Sequence, residues 1–340
     1  MRTDLMNLTL KETEQYLERL GEKKYRAKQV FGWIYKGAES FDAMTDLSLE
    51  LRRKLSENAE IGKLKILKVQ ISRKDGTRKY LFGLKDGNSI ESVFMKYVFG
   101  NTACISSQAG CRMGCGFCAS AAGGLKRNLT AGEMTDQILS IEKDTGEKIG
   151  NVVVMGTGEP LDNYENLSAF IRNIHEKDGL NIGMRNITVS TCGLIPKIAE
   201  LAKDFPQVNL AVSLHAPNDV IRNRLMPIAR NYSMDELLDA CKKHIAATGR
   251  RVTFEYALIN GVNDSDGNAE ELAKRLRGVN CHVNLIPMNQ VAETGYAGTD
   301  KAGVERFRGL LEKRGIQVTV RRELGSDIDA ACGQLRLLKI

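Results

Sequence analysis

The segment Cys111-Arg-Met-Gly-Cys115-Gly-Phe-Cys118 brings three thiols together within eight residues. The spacing is Cys-x-x-x-Cys-x-x-Cys, with Phe117 just before the last thiol. Three thiolates this close can hold three corners of a cubic iron–sulfur cluster, and no fourth cysteine follows at ligand spacing. One iron then keeps an open coordination position, a site for chemistry, whereas a cluster with four cysteine ligands mainly transfers electrons. Zinc fits less well. Its sites show paired cysteines or cysteine–histidine pairs, and the four histidines, His175, His215, His244 and His282, all lie elsewhere in the sequence. A disulfide framework fits no better, because eight cysteines in 340 residues without a signal peptide suit a reducing cytosol.

The cysteine spacing resembles the signature of the radical S-adenosylmethionine (SAM) enzymes. In that family the open iron of a [4Fe-4S] cluster binds the amino and carboxylate groups of SAM. An electron from the cluster then releases a 5′-deoxyadenosyl radical. The resemblance implies both the cluster, on Cys111, Cys115 and Cys118, and SAM as cofactors.

These thiols need a scaffold, and the pattern of the chain supplies one. At 42% apolar residues the chain has enough for a core, and 340 residues suit one large domain with a smaller one. No apolar run reaches the ~18 residues needed to cross a membrane. Residues 1–60 read as helical: Thr9-Leu-Lys-Glu12 is a capping box, Arg26–Tyr35 predicts a second helix and Ser48–Leu55 a third. Residues 61–100 predict a small antiparallel β-unit linking this module to the main domain. Its strands run Leu64–Ile71, Tyr80–Phe82 and Ser89–Tyr97, with turn signals at Asp75-Gly76 and Asp86-Gly87.

From residue 101 to the end, strand and helix alternate. Expected strands are Thr102–Ser106, Val152–Met155, Ile187–Ser190, Val208–Ser213, Val252–Leu258, Val283–Ile286 and Ile316–Val320. Expected helices include Ala131–Lys143, Tyr164–His175 and Met234–Ala246. Alternation of this kind predicts an α/β fold with a mostly parallel sheet. Six core strands make a partial (β/α)6 barrel, the architecture the radical SAM resemblance implies. Active sites of parallel barrels lie at the C-terminal ends of the strands, and the cysteine run follows the first strand. Gly156-Thr-Gly-Glu-Pro160 follows the second strand, and its Gly158 and Glu159 resemble the family's contact to the SAM amino group. Ser190 ends the third strand, Ser213-Leu214-His215 the fourth, and Asn289 follows the sixth. Together they place short polar groups around one mouth, as a bound nucleoside requires.

The C-terminal run Gly325-Ser-Asp-Ile-Asp-Ala-Ala-Cys332-Gly-Gln-Leu335 narrows the family. Cys332, flanked by small residues, reads as part of an accessible loop, and the run resembles the methyl-carrying loop of bacterial radical SAM RNA methyltransferases that act on adenine. Further stretches carry the likeness along the whole chain: Tyr25-Arg-Ala-Lys-Gln29, Cys104-Ile-Ser-Ser-Gln108, Lys126-Arg-Asn-Leu-Thr130, Ser213-Leu-His-Ala-Pro217 and Gly261-Val-Asn-Asp264. Adenine C2 has no nucleophilic lone pair, so simple polar transfer from SAM cannot methylate it. What the resemblance implies is a route through S-methylation of Cys332 by one SAM, hydrogen abstraction by a radical from a second, and a covalent protein–RNA adduct. Cys104 resolves that adduct with Cys332 ending in a disulfide, and Glu91 accepts a proton. Cys192, Cys241 and Cys281 match no role and read as buried thiols.

Thr157 stands where methionine is common in relatives, and Ser120-Ala-Ala122 where Thr-Gly is common; neither removes a ligand. The resemblance implies methylation of C2 of an adenine in 23S rRNA and in the tRNA anticodon loop. It also implies a flavodoxin or ferredoxin as electron donor and a cytoplasmic location, with a monomer as the working expectation. Two alternatives stay open: the related C8 methylation of the same rRNA adenine, against which Glu159-Pro160 speaks, and a non-catalytic RNA-binding assembly factor with a structural cluster.

The net charge is +7, compatible with a polyanionic partner. Lys23, Lys24, Arg26 and Lys28 cluster in the helical module, where either solvent or RNA phosphates can meet them. Neutralising all four should weaken RNA binding and flatten its dependence on salt. Filter-binding across a salt series checks this, and identical curves would remove RNA contact from this cluster.

Overall fold

The structure, a computed structural model, describes residues 2–288, 295–328 and 335. Three helices open the chain: α1 (Leu10–Arg19), α2 (Arg26–Tyr35) and α3 (Leu49–Asn58). The capping box at α1 is complete. The Thr9 hydroxyl accepts from the Glu12 amide at 3.3 Å, and the Glu12 carboxylate accepts from the Thr9 amide at 2.8 Å. Leu17, Val30, Phe31, Ile34, Leu51 and Leu55 face inward and form a core of their own. That core also takes in Leu139 of α4 (Ala131–Thr145), so the helical module is packed onto the main domain rather than tethered to it. Asp136 of α4 fastens the junction, accepting from the Leu64 amide at 2.7 Å and from Lys63 Nζ at 3.1 Å.

A ten-stranded sheet carries the rest. Its strands are β1 (Lys65–Ile71), β2 (Arg78–Gly83), β3 (Ser89–Tyr97), β4 (Gly100–Cys104), β5 (Asn151–Val154), β6 (Ile187–Thr191), β7 (Asn209–Ser213), β8 (Val252–Leu258), β9 (Cys281–Pro287) and β10 (Val318–Val320). Each strand pairs with its neighbours in sequence. β4 to β10 are all parallel. The crossovers between them carry α4, α5 (Tyr164–His175), α6 (Ile195–Asp204), α7 (Asp219–Leu225), α8 (Met234–Thr248), α9 (Asp266–Leu276) and α10 (Lys301–Lys313). This is a partial β/α barrel: six parallel strands plus the short β10.

The expected antiparallel β-unit is present, and it also continues the barrel sheet. β3 pairs antiparallel with β4, from Val93↔Cys104 to Tyr97↔Gly100, so residues 65–97 extend the barrel sheet outward. Only Val98 and Phe99 lie between these strands, and a connection that short can make only a hairpin. The first barrel strand also ends earlier than expected, at Cys104. Ser106 and Ser107 leave the ladder because other partners take them: Gln137 Oε1 accepts from the Ser106 amide at 2.8 Å, and Thr157 O accepts from the Ser107 amide at 2.9 Å.

The cysteine loop is an excursion closed at its neck. Gln108–Ala109 pairs antiparallel with Arg127–Asn128, and the Lys126 amide donates to Ala109 O at 2.8 Å. Gly110 makes the neck possible. It sits at φ +77°, and a Cβ there would stand 1.9 Å from Gly124 O. The left-handed backbone alone costs a side chain about 1–2 kcal/mol, and the clash with a carbonyl adds to it. Gly110→Ala should therefore lower the thermal midpoint and reduce iron bound per chain after anaerobic reconstitution. Normal iron loading would show that the neck does not govern the loop.

Candidate active site

A cavity of about 160 Å³ opens where the parallel strands end. Cys111, Cys115 and Cys118 border it on one side, with Phe117; Gly158, Glu159, Ser190, Ser213 and His215 border it on the others. Residues spread over the sequence from 111 to 215 thus meet at one mouth, the end at which barrel chemistry occurs. Leu214 is the exception. Its side chain is buried in the main core and its amide donates to Glu255 O at 3.0 Å, because alternation along the strand turns it away from its neighbours. Asn289 and Cys332 lie outside the described residues.

Gly158 lets the Gly-Thr-Gly-Glu turn ride over the end of β4. Its φ is +111°, and a Cβ would meet Gln108 Cβ at 2.6 Å and the Gln108 amide nitrogen at 2.8 Å. Glu159 is held by backbone donors: Cys192 N to Oε2 at 2.7 Å and Leu161 N to Oε1 at 3.1 Å. Burial raises its carboxyl pKa, while these bonds pull the other way. The side chains of Cys192 and Thr191 add further hydrogen bonds to the same carboxylate.

His215 adopts φ +54° and is buried. Its Nδ1 accepts from the Ala257 amide at 2.9 Å, so in the neutral ring the proton resides on Nε2. Burial, helped by the charges of Arg222 and Arg321, lowers its pKa to about 3. The Phe117 ring packs edge-on against it at 4.9 Å between centroids.

Several residues at this mouth had no signal in the sequence. Glu255 is buried, lines the cavity, and accepts from Asn284 Nδ2 at 2.8 Å. Arg321 stands 3.8 Å from it. Arg222, only 1% exposed, donates from Nη2 to Cys192 O at 2.6 Å. Cys192 lines the cavity beside Glu159, whereas Cys241 is buried in the main core.

Cys104 and Glu91 are placed apart from this cavity. Cys104 ends β4 and packs with Val93, Met155 and Leu335. It lines a second cavity of about 540 Å³, whose walls share Met155, Ile286 and Arg321 with the first. Leu335, three residues beyond Cys332, touches both regions: it packs with Cys104 and lines the first cavity, and its carbonyl accepts from Ser120 Oγ at 2.7 Å. Glu91, on β3, is buried with its Oε1 3.2 Å from Lys79 Nζ; neither cavity is lined by it.

Known proteins fit this arrangement closely. Residues 3–61 match the ribosomal RNA large subunit methyltransferase N-terminal domain, and residues 105–273 match the radical SAM superfamily. A protein of Alkaliphilus oremlandii named probable dual-specificity RNA methyltransferase RlmN is 56% identical over 335 residues, covering 98% of each chain. The protein so named in Lachnospira eligens is 55% identical, covering 98% of this chain and 96% of its own. The chain belongs to the RlmN family of radical SAM methyltransferases. A crystal structure of a radical SAM methyltransferase from Sphaerobacter thermophilus superimposes with a TM-score of 0.93 at 48% identity, covering 98% of this chain and 99% of that one. As an RlmN-family protein, the chain is a SAM-dependent RNA methyltransferase with one [4Fe-4S] cluster.

The residues fit that cluster. Burial pushes the Cys111 thiol up to about 12 and Cys115 higher still, so both stay protonated until a metal arrives; coordination then deprotonates them outright. Among the described residues no trio of His, Cys, Asp or Glu is gathered around a single-ion site. A cubic cluster needs no such point, since each thiolate takes a different iron.

The shift at His215 has a sign that can be checked. Its folded pKa lies below the unfolded value of 6.5, so its neutral form contributes stability above pH 6.5 that is lost as pH falls toward 3. Between pH 7.5 and 5.5 the loss should be about 1.4 kcal/mol. In urea unfolding of cluster-free protein, His215→Gln should lack this increment. An equal pH dependence in both proteins would contradict the burial argument.

Proposed function

We propose that this chain methylates C2 of an unpaired adenine in 23S rRNA and in the tRNA anticodon loop. The observation that supports this most is the common wall of two cavities. One is bordered by the cysteine trio and the other by Cys104, with Leu335 of the Cys332 segment at their junction. When bound, the cluster supplies an electron, and SAM supplies both the methyl group and the agent that abstracts hydrogen.

In this reading Cys111, Cys115 and Cys118 hold the cluster. Gly158, Glu159, Ser190, Ser213 and His215 hold SAM, joined by Asn289. Glu159 takes the ammonium, and His215, kept neutral by burial, can donate from Nε2. Cys332 carries the methyl carbon to the base, and Cys104 resolves the protein–RNA adduct by forming a disulfide with it. Glu91 accepts the proton, with the Lys79 ammonium beside it. Residues 1–60 grip RNA, 61–100 join them to the barrel, and 101–340 carry the chemistry. The target base has to leave its stack, at a cost of a few kcal/mol, roughly. A flavodoxin or ferredoxin delivers the electron to a cytoplasmic monomer; among the described residues no helix is long and apolar enough to cross a membrane.

Anaerobic reconstitution with SAM, a reductant and RNA fragments deuterated at C2 or at C8 of the target adenine tests the reading. Loss of label from C2 is expected. Loss from C8 would overturn the choice of carbon, and RNA left unmethylated would overturn the reaction. Cys118→Ala should lose iron and sulfide, whereas Cys332→Ala should keep both and transfer no methyl group.

A further inference from the structure

Among the described residues two lysine or arginine side chains are buried, Lys79 and Arg222. Lys79 has a carboxylate beside it, Glu91 Oε1 at 3.2 Å. Arg222, only 1% exposed, has no carboxylate at ion-pair distance among the described residues. Its Nη2 donates to Cys192 O at 2.6 Å and lies 3.5 Å from Ser213 O, both neutral carbonyls. Its Nε is buried with no hydrogen-bond partner among the described residues. Asp219, three residues earlier on α7, accepts from the Met234 amide at 2.7 Å and acts on Arg222 only at longer range. A buried charge is expensive unless an anion answers it.

Room for this guanidinium is built into the backbone. Gly193 sits at φ +110°, and a Cβ there would stand 3.2 Å from Arg222 Nη2. The helix that carries Arg222 also braces the cysteine loop. The Gly116 amide donates to Leu225 O at 2.9 Å, and Cys115 and Phe117 pack against the apolar group of Cys192, Leu225 and Met226. Cys192 and Ser213 line the cysteine-bordered cavity, whereas Arg222 does not. The cation thus stands behind the cavity wall, out of contact with a ligand in the cavity. Its charge still reaches the loop. Burial first, then the neighbouring thiols, push the Cys115 thiol up, while Arg222 pulls it down.

We propose that Arg222 is the fixed counter-charge of the iron–sulfur cluster, a positioning residue that favours the cluster's reduced form. A cluster held by three thiolates is anionic, and it becomes more so when one electron enters from the donor. Net charge and nearby hydrogen bonding set the potential of such a cluster, and a cation in a low-dielectric setting acts on it with little screening. Removing the charge leaves the three ligands in place but makes the electron harder to add. This goes beyond the choice of methylated carbon: it rests on the cluster being bound by Cys111, Cys115 and Cys118, and on no particular RNA.

The test compares anaerobically reconstituted wild type, Arg222→Gln and Arg222→Lys, without SAM or RNA. Iron and sulfide per chain are measured first, then the midpoint potential by a redox titration followed by electron paramagnetic resonance. Arg222→Gln should hold about tenfold less reduced cluster at the wild-type midpoint, a downward shift of about 59 mV for one electron. Arg222→Lys should stay near wild type. An unmoved potential in Arg222→Gln would overturn the proposal, and so would an equal drop in Arg222→Lys, which would assign the effect to the guanidinium's hydrogen bonds. Should Arg222→Gln take up no iron, Arg222→Lys decides. Iron loading with a potential near wild type supports the role of charge, and loss of iron from both assigns Arg222 to packing and overturns it. Wild type that takes up no iron would instead sink the assignment of the cluster to these cysteines, and this proposal with it.

Discussion

One buried set of hydrogen bonds fixes where everything else in the site can be. Gln137, on α4, accepts from the Ser106 amide at 2.8 Å and from Ser92 Oγ at 2.6 Å, and it donates to Ser106 O at 3.0 Å. Ser106 Oγ donates to Glu91 O at 2.6 Å and accepts from the Thr157 amide at 2.9 Å. Five polar contacts, all out of reach of water, thereby join β3, the end of β4, α4 and the Gly-Thr-Gly-Glu turn. Each bond is worth only ~1 kcal/mol net, but an unmade partner in such a place costs more than a made bond contributes. Register errors are therefore penalised at four elements at once. The Glu159 carboxylate and the cysteine loop are both positioned from this hub, through Gln108, whose Oε1 accepts from the Glu159 amide at 2.9 Å.

Charge inside the mouth is balanced in a particular way. Glu159 and Glu255 are buried carboxylates, and Arg222 is a buried cation whose donor reaches a backbone carbonyl and not a carboxylate. The two carboxylates are satisfied chiefly by amide donors. Glu255 has the Arg321 guanidinium 3.8 Å away, whereas Glu159 has no ion-pair partner among the described residues, so a cationic ligand finds its carboxylate partner at Glu159. A sulfonium bearing an ammonium is such a ligand.

Much of this was legible in the sequence, for identifiable reasons. The helix at Arg26–Tyr35 and the strands at Val252–Leu258 and Ser89–Tyr97 have the expected bounds, because periodicity and turn residues agree there. Cysteine spacing located one wall of the mouth, and short polar residues at strand ends located Ser190, Ser213 and His215 on the others. What escaped has a common cause: it depends on pairing across space. The Val98-Phe99 turn carries no Asn-Gly or Asp-Gly signal, so nothing in the sequence signals that the antiparallel β-unit pairs directly with the first barrel strand. Leu214 was grouped with its neighbours although a strand turns alternate side chains to opposite faces. Glu255, Arg222 and Arg321 are ordinary charged residues in sequence and acquire meaning only when burial brings them to one cavity.

The neck of the cysteine loop bears on how the protein matures. It is closed by backbone bonds between Gln108–Ala109 and Arg127–Asn128, and none of its bonds involves a thiol. The barrel can accordingly be complete before any iron arrives, with the three thiols waiting on a preformed promontory instead of nucleating the fold. Loading then adds an inorganic core to a finished fold, and loss of that core leaves the backbone bonds of the neck in place.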